Sequence, residues 1–191
     1  MKILLFGIAF LFGTLTFAQK PCDFATDVKD SIGTYKATKE YLMYEKNFAG
    51  NSSYVFSSIV ISDGTPILNV QFLEKSNGFI KVKCLDKNSR LYIQLENNKI
   101  VTLSHIDQES CGTMVRDDKG MNNRVLTGFF IFRKEDYADL KKAPVSFIRV
   151  KYTTDTSDFI IRKAIKSELD GSLSEPDTYF MNYLNCLETK N

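Results

Sequence analysis

The run from Leu91 to Ser104 (LYIQLENNKIVTLS) constrains the fold of this chain more than any other stretch. Two segments rich in β-branched and aromatic residues meet at Asn97 and Asn98, and Asn accepts the φ > 0 conformations that tight hairpin turns demand. A two-residue turn pairs Leu95 with Ile100 and Ile93 with Thr102. A three-residue turn pairs Leu95 with Val101 and Ile93 with Leu103, which aligns the apolar residues better. Extended outward, either register brings Cys84 within about a residue of Cys111. The chain is therefore organised around an antiparallel hairpin.

The segment ahead of the fold has a different character. Lys2 is followed by an apolar run from Ile3 to Phe17, and Thr16-Phe17-Ala18 places small residues at the −3 and −1 positions of a cleavage site before Gln19. The run is shorter than the roughly 20 apolar residues a transmembrane helix needs. Residues 1–18 are read as a signal peptide and 19–191 as a single β-rich domain, periplasmic or secreted. Cys22 follows Gln19-Lys20-Pro21, which is no lipobox, and no later stretch is long and apolar enough to span a bilayer.

Lys and Arg number 25 against 23 Asp and Glu, a balance that gives no support for nucleic acid as a partner or for an electrostatic membrane patch. The 4 cysteines are even in number and include no CxxC pair. In an oxidising compartment that favours disulfides over metal thiolates or catalytic thiols. Ladder geometry around the hairpin pairs Cys84 with Cys111. The remaining pair, Cys22 and Cys186, would tie the N-terminal arm to the last helix.

Along the chain, 19–33 reads as a polar arm, and Thr34 to Phe48 as strand rather than helix from its aromatic and Thr content. Ala49 to Ser53 is a loop by composition. Tyr54 to Ile61 and Ile67 to Leu73 form a hairpin around Asp63-Gly64, a type I′ signal. Phe79 to Cys84 (FIKVKC) alternates apolar residues with Lys and predicts a strand with one wet face. His105 to Asn123 lacks periodicity and predicts an excursion from the sheet. Arg124 to Phe132 is a strand with Gly128 as a bulge. Lys134 to Lys142 predicts a short helix that ends before Pro144. Val145 to Tyr152 and Asp158 to Ile165 form a last hairpin. Ser174 as N-cap, Pro176 in the first turn, and Phe180, Tyr183, Leu184 and Leu187 at helical spacing predict a C-terminal helix. The pattern predicts a mainly β (α+β) fold: an antiparallel β-sandwich-like single domain with one short helix and a C-terminal helix packed on the sheet.

From Leu91 to Leu187 the order of motifs is also familiar. Leu91-x-Ile-x-Leu before an Asn-rich turn, a later Cys, an aromatic strand, Lys134-Glu-Asp-x-x-x-Leu-Lys, Ile148-Arg-Val and a closing Tyr179-Phe-x-x-x-Leu-x-Cys follow one another. This resembles a group of small uncharacterised secreted bacterial proteins. The resemblance rests on packing motifs and implies no activity.

Candidate chemistry centres on His105, the only histidine. In an extended strand, His105, Asp107, Glu109 and Cys111 would share one face, and the first three are candidate ligands for a transition metal. The plainer reading is an exposed strand end with solvated acids and a disulfide-bonded Cys111. No Gly-x-Ser-x-Gly elbow accompanies the histidine, and no catalytic or cofactor-binding residue is assigned. Asp117-Asp118-Lys119-Gly120 has the outline of a Ca²⁺ loop, but Lys119 and Met121 stand where oxygen donors belong, which favours a plain turn. With no Trp, the chain lacks the usual sugar-stacking platform, although Tyr35, Tyr41 and Tyr44 remain. The expectation is a non-catalytic binding or envelope-associated module with no cofactor and a protein or glycan ligand. The alternative is a small hydrolase or metal-dependent enzyme centred on His105.

Overall fold

The computed structural model describes residues 24–31, 33–106, 108–133 and 135–187, with the side chains of 186 and 187 excepted. The expected signal peptide, Asp107 and Cys22 lie outside these residues, as do the side chains of Cys186 and Leu187.

The strands in chain order are β1 (Phe24–Lys29), β2 (Thr34–Thr38), β3 (Tyr41–Phe48), β4 (Asn51–Ser62), β5 (Thr65–Ser76), β6 (Cys84–Leu85), β7 (Arg90–Leu95), β8 (Ile100–His105), β9 (Ser110–Cys111), β10 (Thr113–Arg116), β11 (Asn122–Ile131), β12 (Val145–Lys151), β13 (Thr156–Ile160), β14 (Ile165–Lys166) and β15 (Leu173–Ser174). Helix α1 (Asp136–Leu140) lies between β11 and β12, and α2 (Tyr179–Tyr183) follows β15. The fold is mainly β and antiparallel, as its turn chemistry and alternation predict.

Three long strands, β4, β5 and β11, form the spine, and the sheet forks at each side of it. At one end β3 flanks β4 and β10 flanks β11. At the other end β4 pairs with β2, which pairs with β1, while β11 passes through Phe130 and Ile131 to β8, β7, β12 and β13. The second limb folds back over the first. Phe72 of β5 packs on Tyr152 and Phe159, with ring centroids 5.8 and 5.9 Å away, and Tyr44 of β3 meets Phe159 at 5.1 Å. A sandwich results from one sheet curling around its own apolar face.

Alternation decides what fills the interior. Leu68, Val70 and Phe72 on β5 face Leu91, Ile93 and Leu95 on β7 and Val101 and Leu103 on β8 within one buried cluster. Each fully buried side chain of this kind stabilises the fold by about 1.5–3 kcal/mol relative to exposure. Phe180 of α2 packs edge-on against Phe132 at 6.2 Å, and Leu184 is fully buried in the same core. The outer face of β4 is covered as well: Tyr54 and Leu42 pack with Ile165 of β14. Leu42 and Met43 fall into different clusters by ordinary alternation, and the register shift between Leu42 and Tyr44 lets the adjacent Met43 and Tyr44 share one.

Several local expectations differ from the structure. The central hairpin pairs Ile93 with Val101 and Leu91 with Leu103, one residue short of the nearer predicted register. Its three-residue turn, Glu96 to Asn98, closes through Asn98 N to Leu95 O at 3.0 Å and Leu95 N to Lys99 O at 2.9 Å, with Asn98 at φ 65°. That geometry is a tight turn followed by a left-handed residue, and it opposes Leu95 with Lys99 where the predicted three-residue register opposes it with Val101. The loop at Ala49 is only two residues long, because Ala49 and Gly50 both take φ > 0 and Phe48 already pairs with Asn51. Residues 24–29 are a strand, not an arm. Phe79 to Lys83 is not a strand: apart from the Gly112 N to Lys83 O bond at its end, only Cys84 and Leu85 pair across to β9. Gly128 is not a bulge, since β11 and β5 stay in register throughout. A Cβ there would lie 2.5 Å from Leu85 Cδ1, so the glycine serves close packing. Ser174 belongs to β15 and caps nothing; the last helical segment starts at Pro176 as a 3₁₀ turn and ends as another after Tyr183.

Candidate functional site

His105, the centre of the metal reading, ends β8 on the inward side and is 6% exposed. Its ring stands edge-on to Phe130 with centroids 5.3 Å apart, and Nδ1 is buried without a hydrogen-bond partner. Burial pushes the imidazole below its ordinary value, against the opposing pull of the Asp86 backbone and charge. The extended alternation stops here. Ile106 N donates to Phe129 O, and Gln108 N turns back to Ile106 O at 2.7 Å, so Glu109 is exposed while His105 is interior. Asp107 lies outside the described residues. Among those residues no group of three metal-capable side chains converges.

Cys84 and Cys111 pair as expected, although through a ribbon separate from the β7–β8 ladder. Cys84 and Cys111 are directly opposite in the β6–β9 pair and joined by a disulfide. Asp117 is absorbed in its own turn. Oδ1 accepts Lys119 N and Met121 N, and Oδ2 accepts Asn123 Nδ2, which holds its carboxyl below the usual range. No free donor set for Ca²⁺ is left on it.

Two open surfaces emerge that sequence patterning did not single out. The first is a groove of about 720 Å³ on the outward face of β7, β12 and β13. Tyr92, Gln94, Phe147 and Arg149 line it, flanked by Ile100 and Ile160, which are 63% and 71% exposed. β12 pairs with β7 on one side and β13 on the other, so these side chains share one rigid pleated face. Arg149 is fixed by a two-pronged pair with Asp158, Nε to Oδ1 and Nη2 to Oδ2, both 2.7 Å. The pair raises the guanidinium and lowers the carboxyl, each through the shared hydrogen bonds. The guanidinium also lies 5.6 Å from the Phe147 ring centroid.

The second surface is the forked end of the spine, a groove of about 410 Å³ with Phe48, Phe79 and several lysines in its walls. In sequence, Phe48 and Phe79 are indistinguishable from core phenylalanines except that each adjoins a glycine turn, Ala49-Gly50 or Asn77-Gly78. That adjacency was the available signal. On the outward face, the signal was the second set of alternating positions on the late hairpin, where Phe147, Arg149 and Ile160 fall opposite the core residues.

No protein-family model, curated protein or solved structure matches this chain.

Proposed function

We propose that the chain is an exported, non-catalytic binding module whose ligand, a polypeptide of the cell envelope, docks on the outward face of β7, β12 and β13. The observation that carries this reading is the exposure of Ile100 and Ile160 beside Tyr92 and Phe147 around a fixed Arg149–Asp158 pair. Exposed apolar side chains grouped on a rigid face, with an arginine held among them, have the make-up of a protein contact surface. Two isoleucines and the absence of Trp favour a polypeptide over a glycan. The burial of His105, with its ring edge-on to Phe130, supports a structural role for that residue. Export rests on the N-terminal sequence and accords with the Cys84–Cys111 disulfide. Among the described residues no helix is long and apolar enough to cross a membrane.

The test is site-specific photo-crosslinking in the producing cell. A photoreactive residue at Ile160 is expected to give one discrete protein adduct that disappears with Arg149→Glu. The same probe at Leu173, equally exposed on β15, is expected to give none. An adduct common to both positions, or one indifferent to Arg149, would overturn the assignment.

A further inference from the structure

The forked end of the spine presents two phenylalanines to solvent in a way that the backbone enforces. Phe48 is 73% exposed and Phe79 is 85% exposed. Phe48 closes the two-residue turn between β3 and β4, where Ala49 and Gly50 both hold φ > 0. Phe79 sits in the segment between β5 and β6, and β11 pins that segment on both sides of it. Asn122 Nδ2 donates to Gly78 O at 2.9 Å, and the buried Arg124 donates through Nε to Ile80 O at 3.2 Å. Ile80 is thereby drawn inward and Phe79 is left outside. The two tips adjoin: a Cβ on Gly50 would lie 4.0 Å from Asn77 Nδ2.

Lysines stand beside both rings. Lys46 precedes Phe48 by two residues on the same strand, so it shares its face. Lys81 follows Phe79 by two. Lys75 and Lys83 complete the wall, against one acid in the lining, Glu74. Glu74 holds Lys83 at 2.6 Å, Asp117 lies 3.6 Å from Lys75, and Asp155 lies 2.7 Å from Lys81. Lys46 has no such partner among the described residues.

From this geometry we infer that the Phe48–Phe79 end is a contact site for an anionic phospholipid surface. Rigid aromatic tips beside an exposed lysine that no acid holds match what an interface rewards: the rings enter the acyl boundary and the Lys46 ammonium remains at the headgroup phosphates. A bilayer also asks for no shape complementarity, which suits two projecting rings better than a peptide partner would. The inference is independent of the outward-face reading, because the two surfaces share no residue.

The test is co-sedimentation of the protein, isolated from the cells that make it, with phosphatidylcholine vesicles with and without phosphatidylglycerol. Sedimentation is expected only with phosphatidylglycerol. Phe48→Ala/Phe79→Ala should weaken it at least about tenfold, since each ring contributes apolar area. Lys46→Gln should weaken it about fivefold, the value of one basic side chain near such a surface. Both variants alter exposed side chains, and unchanged melting temperatures would verify their folds. Failure to sediment with phosphatidylglycerol, equal sedimentation on phosphatidylcholine alone, or indifference to the double phenylalanine variant would overturn the inference.

Discussion

Cys84 and Cys111 face each other at a non-hydrogen-bonded position of the β6–β9 pair, with Cα atoms 4.1 Å apart and the sulfurs joined. The next pair outward is the hydrogen-bonded one, Gly112 N to Lys83 O at 3.1 Å, and strands approach most closely between such pairs. The β6–β9 ribbon is separate from the β7–β8 ladder. His105 N still reaches Ser89 O at 3.3 Å, after which the two arms continue through unequal segments, 86–88 on one side and 106–109 on the other. One extra residue on the second arm restores the alignment of the cysteines that the shorter hairpin register would have missed.

Removing that cross-link should destabilise the protein through the unfolded state. The two cysteines are separated by 27 positions, for which the chain-entropy model gives about 3–4 kcal/mol. Cys84→Ser/Cys111→Ser is expected to lower the urea midpoint correspondingly while leaving the circular dichroism spectrum β-rich. A loss below about 1 kcal/mol would show that the ribbon is held by its surroundings and not by the bond.

Gly128 should be intolerant of a side chain because its neighbours cannot retreat. Leu85 Cδ1 would stand 2.5 Å from the new Cβ and Phe130 Cε2 3.0 Å, and both residues are fully buried. Gly128→Ala is expected to cost about 1–3 kcal/mol by overpacking. Leu85→Val in the same chain should return part of that loss in a double-mutant cycle. Strict additivity of the two substitutions would sink the contact as the cause.

His105 makes stability fall in mild acid. Burial sets its folded pKa below the ordinary 6.5, so between those two values the unfolded chain binds the proton more readily than the folded one. The contribution is fully present above about pH 6.5 and is lost as the pH drops towards the folded value. Urea melts between about pH 7.5 and 5.5 should show a steeper decline for the native protein than for His105→Phe, which keeps an aromatic ring against Phe130. Parallel declines would mean that other groups carry the acid sensitivity.

The features legible in the sequence were those whose causes are local. Asp63-Gly64 specified a type I′ turn, found with both residues at φ > 0 and Ser62 opposite Thr65. Most period-2 runs announced strands, the cysteines announced a bridge, and α1 ends before Pro144 as expected. Turn type and alternation act over a few residues, so a single strand carries enough information to state them.

What lay beyond the sequence were choices made by distant partners. Whether Phe79 lies in a strand or projects into solvent depends on Arg124 and Asn122, more than 40 positions away, taking the carbonyls on either side of it. Whether β4 has one wet face depends on Ile165 arriving to cover Tyr54 and Leu42. Burial of His105, the close approach at Gly128 and the open face around Arg149 likewise follow from how one sheet curls on itself. Local chemistry determined that this chain forms antiparallel strands and where they turn. Tertiary packing alone decided which apolar residues the curled sheet encloses and which it leaves at the surface, because burial is a property of both contacting partners.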